Sequence, residues 1–541
     1  MLGTGETIQS EETMLSEEVR VMLDRAIEQE LPTRIWEKDA SVWSADEKVR
    51  KAIDGRLGWL DVSDWTLKHL DEISEFAEGV RKDGITTVVI LGMGGSSLCV
   101  ETLRDTFGVK EGYPKLLVLD STHPDQILDV ERACDLKHTH FIVASKSGTT
   151  LEPQCYFDYF WNKLESIGND RRFHFAAITD PGTPLEKMGE ERGFRRTFAN
   201  PPDIGGRYSV LSYFGMVPAA LAGIDIEKIL SSAGSEAGFS RTEDDRNTSL
   251  SFGVFLGYAA QHGRDKLTIV TLPELASFGY WAEQLLAEST GKSGKGILPI
   301  EGESLRTREE EANHRIYAHL TLGEETLDEA ERAKPAHIEL HLSQLADLGA
   351  QFFRWEFATA VAGQMMGINP FDEPNVAESK AKTNEVLVNY DASKSLPHDA
   401  SFGIDASTSA LDNFLSANVK PDGYIALMAY LNRNEESKSA LAALRERLSL
   451  KYHVPVTIGF GPRFLHSTGQ FHKGGPATGA FVQFIDSPRE DMPIPGKPYS
   501  FGTLIRAQAI GDFETLRKHG RPVVSFDLGK EPLKIVRNLS S

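Results

Sequence analysis

The sequence predicts an α/β protein of two lobes, each a mainly parallel sheet flanked by helices. Three observations lead there. The chain has 541 residues, 40% of them hydrophobic and 25% charged, ample for more than one core at roughly 100–200 residues per domain. Short apolar runs of strand length alternate with stretches long enough for helices. These runs are continuous rather than alternating, as expected of parallel strands covered on both faces. The net charge of −21 argues against an extended nucleic-acid surface. It leaves room for one cationic pocket that takes a small anion.

From the N-terminus, Met1–Arg20 carries five Glu and one Arg, without the charged-then-apolar order of a secretory signal. No apolar run approaches the ~18 residues of a membrane span. The C-terminal residues Asn538–Ser541 form neither a prenylation nor a retention signal. A cytoplasmic protein is expected. The three cysteines, Cys99, Cys134 and Cys155, are odd in number and lack C-x-x-C spacing, which predicts buried thiols rather than a disulfide scaffold or a zinc site.

Residues 15–75 predict helices, with apolar positions at Val19, Leu23, Ile27 and Leu31. Strand-like runs follow at Thr87–Leu91, Leu116–Leu119, Phe141–Ala144 and Phe173–Ile178, with a helix predicted from Glu152 to Ile167. This first α/β unit ends near residue 205. Helices are predicted over 209–222 and 249–262. A second set of strands follows at Leu267–Thr271, Gly296–Ile300, Arg315–Leu322, Tyr424–Tyr430, Val456–Gly459 and Ala480–Ile485. A helical block at 340–390 interrupts that set, and residues 390–421 read as a long loop or lid with a short helix. The expected divisions are a helical segment (1–75), a first domain (76–205) and a second (206–541) with a helical insertion and a C-terminal α/β segment.

Two loops carry chemistry. Gly92-Met93-Gly94-Gly95-Ser96-Ser97 follows a strand and opens a helix, so backbone N–H groups can face an anion. It is a poor dinucleotide fingerprint, because Ser97 stands where the third glycine belongs. Ser145-Lys146-Ser147-Gly148-Thr149-Thr150 has the same context and places four hydroxyls within six residues. Capping needs one hydroxyl; four beside a lysine point to a phosphate monoester. Gly291-Lys292-Ser293 looks like half a nucleotide P-loop, but Leu286 stands at the required earlier glycine.

Together the two loops resemble a sugar isomerase (SIS) domain. Ile204-Gly205-Gly206-Arg207-Tyr208-Ser209, Ala287–Lys292 and Ile368–Lys380 resemble three signatures of the glucose-6-phosphate isomerase family, in the family's order. The resemblance spans about residues 30–520. It is closest to the isomerase half of fused transaldolase–isomerase proteins, which share the Gly459–Pro476 stretch. A transaldolase barrel, roughly 250 residues long, is not expected upstream of residue 84. The resemblance implies two SIS-type lobes with the site between them. It also implies glucose 6-phosphate to fructose 6-phosphate interconversion through an enediolate, without metal or cofactor. Glu288 is then the base and Arg207 the oxyanion partner. Gly95, Ser96, Ser145, Ser147 and Thr150 bind phosphate, Lys146 and Glu152 line the pocket, and Lys380 serves ring opening.

Ordinary family members carry the ring-opening histidine between the glutamate and the lysine. His314, His319, His337 and His341 lie in that interval, none in a matching motif. The matching pattern comes later, at Leu465-His466-Ser467-Thr468-Gly469-Gln470, with His472 and Lys473 as neighbouring alternatives. The implied catalytic set is Glu288, Lys380, His466 and Arg207, in a rearranged chain order. Glu373 stands where the family signature has Gln, a carboxylate that needs a partner such as Lys380 or Lys382. The family implies a homodimer. Rival readings are a non-catalytic sugar-phosphate sensor, an isomerase also taking mannose 6-phosphate, and a partner of a separate transaldolase.

Overall fold

The structure is a computed structural model that describes residues 17–168, 170–303, 314–325, 336–397, 399 and 401–540. Among the described residues the strands form three sheets, in all of which the neighbouring strands run parallel. The first holds β1 (Thr87–Leu91), β2 (Lys115–Leu119), β3 (Thr139–Ala144), β4 (Phe175–Thr179) and β5 (Arg196–Ala199), in the order β2-β1-β3-β4-β5. Every residue of β1 and β3 is buried, which is why those runs lack polar alternation.

The second strand set divides into two sheets. One holds β6 (Lys266–Thr271), β7 (Leu298–Ile300), β8 (Arg315–Leu322) and β9 (His337–Leu342), in the order β7-β6-β8-β9. The other holds β10 (Ile404–Asp405), β11 (Tyr424–Tyr430), β12 (Val456–Phe460), β13 (Gly479–Ile485) and β14 (Val523–Asp527), in the order β10-β14-β13-β11-β12. Numbered from β11, this third sheet repeats the order of the first. Its edge strand β10 comes from earlier in the chain.

The helical block expected at 340–390 is two helices, Leu348–Met366 and Pro374–Ser393, after β9. The stretch expected as a loop or lid with a short helix holds such a helix, Thr408–Asn418, and also the strand β10. The N-terminal helices pack onto the first two units. Trp43 Nε1 donates to the Ala360 carbonyl (2.8 Å) and Thr66 Oγ1 to that of Leu211 (2.7 Å). Cys99 and Cys155 are buried, as expected, but Cys134 is only half-buried, because it lies just past the helix Pro124–Arg132. No helix among the described residues is long and apolar enough to cross a membrane.

Candidate active site

The two hydroxyl-bearing loops leave the C-terminal ends of β1 and β3, where open parallel sheets bind ligands. The β1 loop needs its glycines. Gly94 has φ +56°, and a Cβ on Gly95 would lie 1.9 Å from the Gly206 carbonyl oxygen. Their absence of side chains lets this loop touch the Gly206–Arg207 turn. Ser96 sits in the first turn of the helix Gly95–Phe107.

Thr150 is the N-cap of Leu151–Ser166, yet its side chain makes no capping hydrogen bond. Instead Ser145 Oγ donates to Thr150 Oγ1 (3.0 Å), and Ser147 Oγ pairs with Thr149 Oγ1 (2.9 Å). A cluster of hydroxyls at an uncapped helix start suits an anion. Lys146 is committed elsewhere: its Nζ pairs with Asp180 and donates to the Pro202 carbonyl (2.8 Å). Burial pushes the Asp180 carboxyl up to about 6 against the pull of Lys146.

Glu288 lies on the helix Phe278–Thr290 and is buried. Arg207 Nη1 approaches Glu288 Oε1 at 3.5 Å and donates to Glu373 Oε2 at 3.0 Å. Its Nε donates to Ser289 Oγ (2.7 Å), and its Nη2 to the Pro370 and Asp372 carbonyls (2.8 and 3.0 Å). Burial raises the Glu288 carboxyl above its ordinary value. Arg207 opposes this and Glu373 reinforces it. Burial also disfavours charge on Arg207, but the two carboxylates outweigh it and keep the guanidinium protonated.

Glu373 departs from the pairing expected in the sequence. It meets Arg207 and, at 3.9 Å, Arg56. Lys382 instead pairs with Glu385 and Glu514, and Lys380 is exposed. The reason is direction: Glu373 precedes its helix and faces the Arg207 turn.

On the other side, His466 closes the short turn Arg463–His466, and its Nε2 lies 3.3 Å from Glu152 Oε1. Burial works against ionisation of Glu152. The hydrogen bond and charge of His466, with a contribution from Lys380, outweigh it and hold the carboxyl below its ordinary value. The site therefore gathers Glu288, Arg207, Glu152 and His466, while Lys380 acts on Glu152 from an exposed position. His472 is not a rival: it packs among Tyr424, Phe464 and Phe481, and burial keeps it neutral. Lys473 is paired with Asp512 (2.6 Å). His319, His337 and His341 lie on β8 and β9, and His314 just before β8.

Sequence reasoning missed two buried residues here. Gln284 Nε2 donates to Glu288 Oε2 (3.1 Å) and to the His466 carbonyl (2.9 Å). Its spacing of four from Glu288 on a helix was a usable signal. Gln508 Nε2 donates to Glu152 Oε1 (2.8 Å), and no local signal announces it. Gln470, read as part of the histidine motif, is a clamp. It binds the Gly291 carbonyl and the Asn375 side chain (both 2.8 Å) and accepts from the Asn375 N–H (2.8 Å).

Parallel α/β units with hydroxyl-bearing strand-to-helix loops place the chain in the class of SIS-type α/β proteins. Within that class, the profile of the family described as phosphoglucose isomerase matches residues 59–298. A probable glucose-6-phosphate isomerase of Methanococcus maripaludis is 28% identical over 384 residues, covering 62% of this chain and 85% of the relative. The glucose-6-phosphate isomerase of Mycoplasmopsis pulmonis is 28% identical over 430 residues, covering 68% of this chain and 99% of the relative. The crystal structure of a glucose-6-phosphate isomerase from Chlamydia trachomatis superposes with a TM-score of 0.52 at 19% identity, covering 69% of this chain and 84% of that one. That match bears on the fold alone. The chain is thus similar to phosphoglucose isomerases, through the family model over residues 59–298 and through these relatives over 62% and 68% of its length.

Proposed function

We propose that the chain is a glucose-6-phosphate isomerase working through an enediolate, with Glu288 as base. The observation that carries this reading is the buried Glu288 carboxyl, raised above its ordinary value, within 3.5 Å of Arg207. A carboxylate with raised basicity is the better acceptor of a carbon-bound proton. A guanidinium that stays charged cannot compete as base and suits the oxyanion. The family relatives named above support the substrate pair.

In this reading Gly95, Ser96, Ser145, Ser147 and Thr150 hold the phosphate, whose binding energy positions the distant reacting carbons. His466, held by Glu152, and Lys380 open the ring by moving the O1 proton away and supplying one to O5. Glu288 then takes the C2 proton of the open aldose, and Arg207 stabilises the enediolate. After the O2 proton passes to O1, Glu288 returns its proton to C1 and leaves the ketose. Lys146 acts on the loop through Asp180. A homodimer, a cytoplasmic setting, a separate transaldolase partner and activity on mannose 6-phosphate belong to this proposal as further expectations.

The test is a coupled assay from fructose 6-phosphate with EDTA present. Wild-type turnover is expected to survive EDTA. Glu288→Gln is expected to lower kcat by about 10²–10⁴-fold with binding kept, and Thr150→Ala mainly to raise KM. Undiminished kcat in Glu288→Gln removes the base assignment. Sugar phosphate bound without turnover by the wild type favours the sensor reading.

A further inference from the structure

We propose that Gln508, on the helix Phe501–Lys518 of the third α/β unit, is a positioning residue that fixes Glu152 and thereby aims His466 at the sugar ring. The inference rests on the isomerase reading above. Its geometry is a chain of buried polar contacts. Thr122 Oγ1, in the loop after β2, donates to Gln508 Oε1 (2.6 Å). Gln508 Nε2 donates to Glu152 Oε1 (2.8 Å), the same oxygen that meets His466 Nε2 at 3.3 Å. Gln508 is 2% exposed and Thr122 0%.

The amide has one orientation here. A carboxylate only accepts, so the NH₂ group must face Glu152 and the carbonyl oxygen the Thr122 hydroxyl. Glu152 belongs to the first unit, while His466 and Gln508 come from two separated segments of the third. An ordinary buried glutamine would satisfy itself on nearby backbone. This one is spent on the carboxylate that orients the ring-opening histidine. Losing it leaves a buried acceptor oxygen with a single donor and frees the Glu152 side chain to rotate.

The groups that face Glu152 are His466 from its turn, Lys380 from the helix Pro374–Ser393 and Gln508. Tyr156 and Cys155 also feel the charge of Glu152, and Tyr156 that of Asp120 as well. Replacing Gln508 by glutamate sets a second carboxyl against Glu152, and the pair holds a shared proton more tightly than either alone. That shared proton restores a donor toward Glu152 at low pH.

The experiment compares wild type, Gln508→Leu and Gln508→Glu on two substrates. One is fructose 6-phosphate; the other is 5-deoxyfructose 6-phosphate, which lacks O5 and cannot close its furanose ring. Gln508→Leu is expected to lose about tenfold in kcat on fructose 6-phosphate, with KM little changed and the acyclic substrate converted within twofold of wild type. For Gln508→Glu the deficit relative to wild type is expected to shrink as pH falls from 9 to 6. Equal loss on both substrates, no loss on either, or a deficit independent of pH overturns the proposal. If wild type converts neither substrate, the isomerase reading has failed instead. A crystal structure of Gln508→Leu then tests the positioning by itself: separation of Glu152 from His466 supports it, and an unchanged 3.3 Å contact refutes it.

Discussion

Arg207 is the residue on which the site's charge turns. A guanidinium offers five N–H donors. Nε reaches Ser289, Nη2 two carbonyls, and Nη1 Glu373. The remaining donor is on Nη1, the atom nearest Glu288. Glu373 thus divides with Glu288 the charge of a single arginine, and burial and the negative charge of Glu373 raise Glu288 together. Glu373→Gln removes one of these two influences, while Arg207, Gln284 and His466 continue to act in the opposite direction. The acid limb of kcat/KM, which reports the base in the free enzyme, is expected to move to lower pH. A limb that stays in place or moves up shows that Glu373 does not act on Glu288. The departure at position 373 was visible in the sequence. Its partner was not, because Arg207 lies 166 residues away and pairing within the helix looked equally satisfactory.

At the scale of elements, the helix Phe278–Thr290 and the turn Arg463–His466 work as one body. Gln284 joins them through Glu288 and the His466 carbonyl. Beside it, Ser467 Oγ donates to Glu283 Oε1 (3.3 Å), and burial with the charge of Glu301 pushes the Glu283 carboxyl up to about 8. The folded state therefore binds this proton more tightly than the unfolded chain does. The associated stability is full below the ordinary carboxylate range near ~4.3 and is lost as pH rises through about 8. Glu283→Gln stays neutral throughout, so stability should fall less between pH 5 and 8 than in wild type. Urea midpoints at the two pH values measure this, and identical declines would contradict it. The motif segments of these elements were legible because local spacing carries them. β9 was absorbed into the helical block, β10 is only two residues long, and β14 carries Ser525 and Asp527, which break its apolar run.

Across the whole molecule, the first and third units are locked by buried charge. Arg433 Nη2 donates to Glu101 Oε1 (2.5 Å), and Arg463 pairs with both Glu101 and, at 3.0 Å, Asp120. Arg463 opens the turn that ends in His466, so the ion cluster fixes the histidine's backbone to the first unit. The two units share a strand order but not a phosphate loop. In the third, Asp491 Oδ1 accepts from the Gly502 N–H at the start of Phe501–Lys518 (2.7 Å). An internal carboxylate thus occupies the place where the first unit leaves its helix start uncapped. Parallel α/β architecture and the hydroxyl loop were readable from the chain. The division of residues 206–541 into two sheets was not, since one parallel sheet or two give the same alternation of strands and helices.

The measurement that bears most directly on the central claim is proton exchange in D₂O. Wild type is held with fructose 6-phosphate through many turnovers, and the sugars are read by NMR. Abstraction of the proton by Glu288 predicts deuterium accumulating at C1 of the ketose and C2 of the aldose, with uptake in Glu288→Gln slowed about 10²–10⁴-fold. Interconversion without deuterium uptake, with Glu288→Gln turning over as fast as wild type, would mean that hydrogen passes between the carbons without Glu288, and Glu288 would not be the base.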